Sequence, residues 1–218
     1  LLLNFPTNPT GVSYSRTELE AIVEVARAHQ LYIVSDEIYA ELTYEADHVS
    51  VATLYPERTL LINGLVKSHA MTGWRSGFIA GPKEILKELY KVHQATINTP
   101  NTQMQYASIK AYNDCDEDSR MMREEYLKRR NYLVKAFDEL GFELSNPEGA
   151  FYLFMKSPVA DEKKFCDKAK EYHLLMVPGS SFSYPGYVRI AYCVSYETIV
   201  NALPKVAQLA HDYDLLGR

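Results

Sequence analysis

Cysteine, long apolar runs and basic charge are all scarce in this sequence, and each shortage excludes a class of protein. The three cysteines, Cys115, Cys166 and Cys193, are odd in number and widely spaced, and the six histidines show no paired spacing. Neither a disulfide framework nor a metal site is therefore expected. No apolar stretch approaches the ~20 residues that span a bilayer. The net charge of −5, with both signs interspersed, argues against a nucleic-acid surface. We expect a cytoplasmic protein that binds neither membrane nor nucleic acid.

What the sequence does have is the composition of a globular protein, with apolar runs that alternate with helical patterns. Its 218 residues are 47% hydrophobic and 23% charged, which suits one large domain or two small ones. Short apolar runs predict strands at residues 1–5, 31–35, 59–62 and 76–80. Amphipathic patterns predict helices at residues 15–30, 83–96 and 102–112, and Ser15 and Glu18 have capping-box spacing. Residues 39–58 have the character of a loop.

The pattern changes after residues 113–118, an acidic, polar stretch that predicts a turn or hinge. A long helix follows and ends at residue 140, before Gly141. Beyond it, strands are predicted at 142–144, 150–155, 174–177 and 187–192, and helices at 161–172 and 195–213. The sequence therefore predicts two domains, with residues 1–115 in an α/β domain and residues 116–218 in a small α+β domain.

Residues 63–77, Asn-Gly-Leu-Val-Lys-Ser-His-Ala-Met-Thr-Gly-Trp-Arg-Ser-Gly, contain the first candidate chemistry. Lys67 comes just after a predicted strand and a glycine, and Arg75 follows it eight residues later. A lysine amine becomes a nucleophile where desolvation or a nearby cation lowers its pKa. The forked arginine suits a phosphate. Taken alone, this pattern more often marks a solvated loop lysine, because lysine is mostly exposed.

Two more polar motifs follow the first two predicted strands. They are Asn-Pro-Thr-Gly at residues 8–11 and Asp-Glu-Ile-Tyr at residues 36–39. In a parallel α/β sheet, ligands bind beyond the carboxyl ends of the strands, and Asn8, Asp36 and Lys67 each follow such an end. Three adjacent strand ends span roughly 10 Å, about the length of a substituted pyridine with a phosphate arm.

Taken in order, Asn-Pro-Thr-Gly, Asp-x-x-Tyr, lysine and arginine at these separations resemble the aspartate aminotransferase family of pyridoxal-phosphate enzymes (fold type I). Arg189, within Tyr-Val-Arg-Ile-Ala at residues 187–191, falls where that family has its substrate arginine. The resemblance implies the carboxyl-terminal part of a mostly parallel α/β/α large domain that binds the cofactor, followed by the small α+β domain. It also implies a homodimeric aminotransferase that uses pyridoxal 5′-phosphate to move an amino group between an L-amino acid and a 2-oxo acid.

The resemblance implies that three of these residues act on the cofactor's reactive groups and phosphate. Lys67 would hold the cofactor as a Schiff base and would carry the proton at the substrate Cα. Asp36 would keep the ring nitrogen protonated. Arg75 would bind the phosphate. Without the family pattern, a turn or N-cap aspartate is the alternative interpretation of Asp36.

Three further residues complete the implied site. Asn8 and Tyr39 would donate hydrogen bonds to the phenolic oxygen of the cofactor, although a turn asparagine and a core tyrosine are commoner fates for these residue types. Arg189 would clamp the α-carboxylate of the substrate with two hydrogen bonds. The alternative interpretation of Arg189 is an outward-facing arginine on an edge strand.

The sequence departs from the family pattern in three ways. Gly64 and Val66 stand where many relatives have serines, so phosphate binding would depend on Arg75 and Ser68. The glycine-rich phosphate loop and the ring-stacking aromatic residue lie upstream of this stretch in relatives. We therefore expect a carboxyl-terminal fragment that is inactive in isolation. Residues 92–101 contain no arginine for a side-chain carboxylate, so an acidic substrate is not favoured.

Two other functions stay open at this point. One is a C–S or β-lyase on the same scaffold, because a fold does not determine the reaction type. The other is the effector-sensing, aminotransferase-like domain of a transcription regulator, behind a winged-helix DNA-binding domain.

Overall fold

The computed structural model describes residues 1–215, and contacts between residues divide the chain into two units. The first unit comprises residues 1–6 and 13–123, and the second comprises residues 7–12 and the chain from residue 124. The division falls between Arg123 and Glu124, inside a helix. The predicted domains, 1–115 and 116–218, stay a prediction.

A sheet of four strands organises the described part of the first unit. In spatial order the strands are β1 (Leu2–Asn4), β2 (Ile33–Asp36), β3 (Thr59–Asn63) and β4 (Phe78–Ala80). β1, β2 and β3 are parallel, with Asn4 opposite Asp36 and Asp36 opposite Ile62. β4 is antiparallel to β3. The carboxyl ends of the three parallel strands therefore lie at one edge of the sheet, as the α/β prediction requires.

Helix α1 (Arg16–Ala28) covers one face of this sheet. Its capping box is present, because the Glu18 amide donates to the Ser15 hydroxyl at 3.3 Å and the Ser15 amide donates to the Glu18 carboxylate at 2.8 Å. The apolar face of the helix packs into a buried cluster that contains Leu3, Phe5, Leu19, Val23, Ala26, Ile33, Val51 and Tyr55. Burial of this cluster stabilises the unit.

Local patterns predicted the longer of the other helices in the first unit and missed two short ones. These other helices are α2 (Val51–Leu54), α3 (Leu65–Ser68), α4 (Lys83–Thr96), α5 (Thr102–Asp114) and the first turns of α6 (Asp116–Glu139). The predicted loop at 39–58 contains α2 and 3-10 turns at Ala40–Leu42 and Pro56–Arg58. The turn or hinge predicted at 113–118 is present but shorter than predicted, because a single residue, Cys115, separates α5 from α6. Three acidic residues open α6, where carboxylates interact favourably with the positive end of the helix dipole.

The second unit is a small α+β unit, as predicted. Its strands are β5 (Tyr152–Lys156), β6 (Val177–Pro178) and β7 (Tyr187–Ala191), antiparallel in the order β5–β7–β6, and its helices are the end of α6, α7 (Glu162–Glu171) and α8 (Tyr196–Asp212). The strand predicted at 142–144 is only a single bridge, Leu144 to Met155. The strand predicted at 174–177 is reduced because the Leu174 amide still bonds to Ala169 at the end of α7, at 3.0 Å.

Within residues 1–215, no helix combines the length and apolar character needed to cross a membrane.

Candidate active site

The turn after β3 places Lys67 against Tyr39. Lys67 lies in the last turn of α3 and is half-buried, and its Nζ is 5.7 Å from the centroid of the Tyr39 ring. Tyr39 itself is buried. The structure thus brings together two of the residues that the sequence analysis selected, with a cation above an aromatic face.

Close backbone packing explains the glycine that precedes this lysine. A Cβ on Gly64 would lie 2.7 Å from the Gly77 Cα and 2.8 Å from the Ser76 carbonyl oxygen. A side chain at this position would collide with these backbone atoms, so the strand-to-helix turn of this chain requires glycine.

Asp36 ends β2, the strand next to β3. The side chain is half-buried, and its Oδ1 accepts a hydrogen bond from the Ile38 amide at 3.3 Å. The Asp36 carbonyl accepts from the Phe5 amide at 3.2 Å, which ties the end of β2 to the end of β1. Asp36 and the lysine turn therefore leave neighbouring parallel strands at the same edge.

Arg75, the predicted phosphate residue, is exposed. Its Nη1 donates to the Thr72 carbonyl at 3.4 Å, and its φ is +56°. A left-handed backbone costs a non-glycine residue on the order of 1 kcal/mol, and such residues cluster at functional sites. The other predicted phosphate contact, Ser68, is buried, and its hydroxyl already contacts the Gly64 carbonyl and His69 Nδ1 at 3.4 and 2.9 Å.

A cavity of about 320 Å³ adjoins the lysine turn. It is lined by Asn63, Gly64 and Ser68 and, from the start of α6, by Arg120 and Arg123. Neither arginine is among the site residues predicted from the sequence. Their spacing of three on one helix face is the signal that could have found them.

Tyr112 also lines this cavity. Burial, and after it the carboxylate of Glu41, raise the pKa of Tyr112 above its ordinary value. The side chain is therefore a neutral phenol that can donate or accept a hydrogen bond.

In the second unit, Arg189 is held by one hydrogen bond and two rings. Its Nη1 donates to Asn8 Oδ1 at 2.8 Å. Its guanidinium carbon lies 4.5 Å from the centroid of the Tyr152 ring and 4.6 Å from that of the Phe182 ring. β7 lies between β5 and β6, so the edge-strand interpretation is wrong. Arg189 Nε is buried and has no hydrogen-bond partner among residues 1–215.

The loop at residues 7–12 presents Asn8 to Arg189. The Gly149 amide donates to the Gly11 carbonyl at 2.9 Å, and the Ser145 hydroxyl donates to the Thr10 carbonyl at 2.8 Å. These bonds fasten the loop to the second unit. They explain why Asn8, which follows β1 in the chain, meets a residue 181 positions away.

Comparisons with known proteins agree on one family. The family model described as aminotransferase class I and II matches residues 1–206. Aspartate/prephenate aminotransferase of Thermus thermophilus is 40% identical over 215 residues, which cover 96% of this chain and 56% of that protein. A probable N-acetyl-LL-diaminopimelate aminotransferase of Bacillus subtilis is 38% identical, over 94% of this chain and 54% of its own length.

Solved structures give the same result. Aspartate aminotransferase from Thermus thermophilus with maleate superposes with a TM-score of 0.92 at 38% identity, covering 96% of this chain and 56% of that one. An aromatic aminotransferase from Pyrococcus horikoshii gives a TM-score of 0.94 at 36% identity, with coverages of 99% and 61%. The chain thus spans a little over half the length of the relatives that it matches.

Proposed function

Because the chain belongs to the aminotransferase class I and II family, we propose that the whole protein is a pyridoxal-phosphate-dependent aminotransferase. It moves an amino group between an L-amino acid and a 2-oxo acid. The observation that carries the proposal is the packing of the Lys67 amine over Tyr39, beside the edge where Asp36 ends the neighbouring parallel strand.

The residues present suit pyridoxal 5′-phosphate by their chemistry. Lys67 offers a half-buried primary amine for the cofactor's carbonyl carbon. Asp36 offers an acid for the ring nitrogen, and the exposed guanidinium of Arg75 offers two parallel donors for the phosphate. One matching group is therefore available for the carbonyl carbon, for the ring nitrogen and for the phosphate of this cofactor.

When it is bound, pyridoxal phosphate supplies an electron sink for the electron pair left at the substrate Cα. Asp36 holds a proton at the ring nitrogen, which strengthens that sink. Lys67 takes the proton from Cα and later returns a proton, which requires a neutral amine at the working pH. Tyr39 donates a hydrogen bond to the phenolic oxygen.

Substrate recognition is assigned to the pair in the second unit. Arg189 binds the α-carboxylate of the amino acid through its guanidinium. Asn8, with its amide oxygen turned toward Arg189, donates from its amide nitrogen to the phenolic oxygen of the cofactor. The 2.8 Å bond between the two side chains supports this orientation of the amide.

The proposal covers the α-amino and α-carboxylate groups and leaves the side chain of the substrate open, because the relatives are named for aspartate, prephenate and aromatic amino acids. We propose a homodimer as the assembly. Tyr106 and Ile109 of α5 are 72% and 58% exposed and, as large apolar side chains, favour a covering partner. The cytoplasm stays the predicted compartment.

Replacing Lys67 with alanine in the whole protein tests the function. We expect the visible absorbance of the bound cofactor and the formation of glutamate from 2-oxoglutarate both to disappear. Lys110→Ala is the matched control, because Lys110 is exposed and forms an ion pair with Asp114 in the same unit. Retained turnover in Lys67→Ala would rule out the assignment, and release of pyruvate with ammonia by the unmodified protein would indicate a lyase.

A further inference from the structure

A buried carboxylate that the sequence analysis did not select, Glu37, lies between Asp36 and Tyr39 in the chain. Glu37 is 1% exposed. Its Oε1 accepts hydrogen bonds from the Ser35 hydroxyl at 2.8 Å, the Ser50 hydroxyl at 3.1 Å and the Val51 amide at 3.1 Å. Its Oε2 contacts His48 Nε2 at 2.7 Å. An ionised carboxylate, which only accepts, suits four such partners.

The position of Glu37 couples it to the orientation of Asp36. Along β2 and just past it, Ile33, Ser35 and Glu37 are buried while Asp36 is half-buried. Because successive side chains of a strand point to opposite faces, a contact that holds Glu37 also holds the backbone rotation that directs Asp36 the other way. Because side-chain direction alternates along a strand, the residue next to Asp36 is expected to point to the opposite face. This period of two is the sequence signal that could have identified Glu37.

Backbone bonds extend this restraint to Tyr39. The Glu37 amide donates to the Ile62 carbonyl on β3, and the Ala40 amide donates to the Glu37 carbonyl, each at 2.9 Å. The chain that leaves β2 is therefore held on both sides of Glu37, from Asp36 to the turn that begins after Tyr39.

His48 fastens the far end of this network to the core. Its ring stacks on Phe5 with a centroid distance of 5.1 Å and an interplanar angle of 25°. The side chain of His48 is only 13% exposed. Phe5 belongs to the buried cluster under α1. His48 thus connects the Glu37 carboxylate to the buried core of the unit.

We propose that Glu37 is a positioning residue, which holds Asp36 and Tyr39 in the orientation that receives the ring nitrogen and phenolic oxygen of the cofactor. The inference rests on the proposed function. A buried ionic group is poor evidence for stability, because an apolar side chain often stabilises as well. What four directional bonds add is a single orientation, which a binding site requires.

The test compares Glu37→Gln with Glu162→Gln in the whole protein. Glu162 is the matched control, since it is also a buried glutamate, accepts from the Gly186 amide at 3.1 Å, and lies in the second unit. We expect both variants to unfold at lower denaturant concentration. Only Glu37→Gln should weaken pyridoxal phosphate binding, by roughly 10- to 100-fold. Removing a residue that hydrogen-bonds to a metal ligand lowers metal affinity by a similar factor. Glu37→Gln should also shift the pH midpoint of the bound cofactor's absorbance change.

Ser35→Ala is the second variant, used if Glu37→Gln does not fold. It removes one donor to Glu37 and should weaken cofactor binding in the same direction by a smaller factor. The inference would be overturned if Glu37→Gln had the same cofactor affinity and absorbance midpoint as Glu162→Gln. It would also be overturned if Ser35→Ala bound the cofactor with unchanged affinity. In either case Glu37 would be a structural residue. An unmodified protein that binds no pyridoxal phosphate would instead overturn the proposed function, and this inference with it.

Discussion

Replacement of Arg189 by lysine keeps the positive charge and removes the fork. A guanidinium donates two parallel bonds to a carboxylate, whereas an ammonium in the same place donates one well-aligned bond. A hydrogen bond to a charged group contributes about 1.5–3 kcal/mol. We therefore expect kcat/KM for the amino acid to fall roughly 10- to 150-fold, mostly through a higher KM.

The fold should tolerate this change. Arg189→Lys weakens the contacts with the Tyr152 and Phe182 rings, each worth about 0.5–2 kcal/mol. It also removes a buried Nε that has no hydrogen-bond partner in the described chain, a group that costs about 1–3 kcal/mol. Because these changes oppose each other, we expect a folded protein with the absorbance of its cofactor intact.

The assay measures initial rates at varied amino acid concentration with 2-oxoglutarate as acceptor. Arg129→Lys is the matched control, because Arg129 also makes a 2.8 Å bond to a side chain, Glu125, and lies over a ring, that of Tyr126. Its kinetics should equal those of the parent. An unchanged kcat/KM in Arg189→Lys, or loss of cofactor absorbance without a change in KM, would refute the assignment of Arg189 to the carboxylate.

Three further predictions concern packing, thiol chemistry and pH. Leu19→Ala empties a fully buried site in the first unit and should lower the free energy of unfolding by about 2–5 kcal/mol in a urea titration. Cys166 should resist alkylation at about pH 8 while the exposed Cys193 reacts, because burial and then Asp167 raise the pKa of the Cys166 thiol to about 11. Hydrogen bonds from Ser15 lower the pKa of Glu18 below 4.5, so the folded state binds that proton less readily than the unfolded chain. The stabilisation by Glu18 relative to Glu18→Gln should be complete above pH 4.5 and disappear as the pH falls through the lower folded-state value.

Each of these predictions has an outcome that contradicts it. Unchanged stability of Leu19→Ala would place that side chain outside the core, with the exposed Val25→Ala as the comparison. Equal alkylation rates at Cys166 and Cys193 would show that burial does not protect the former. A stability difference between the parent and Glu18→Gln that does not depend on pH would show that the ionised Glu18 carboxylate is not its source.

Local signals predicted the helices well because a helix closes its hydrogen bonds within the segment. α4 begins and ends at the predicted residues, and the Asp161 side chain caps α7 by accepting from two backbone amides. The strands were less accurate because a strand needs a partner. Residues 142–144 have strand character, yet Leu144 forms only one bridge with β5. The acidic residues 116–118 were assigned to the turn although they form the first turn of α6, because carboxylates suit both a turn and a helix start.

The sequence by itself determined which chemical groups this chain can offer: an amine at Lys67, an acid at Asp36 and guanidinium groups at Arg75 and Arg189. Their types and order are properties of the covalent chain, and they sufficed to indicate the family. Only the tertiary structure decided that β1, β2 and β3 are adjacent and parallel. It also decided that Asn8 meets Arg189 and that Glu37 is held by His48. Such contacts join residues 11 to 181 positions apart, and they depend on strand order and loop packing, which no local pattern encodes.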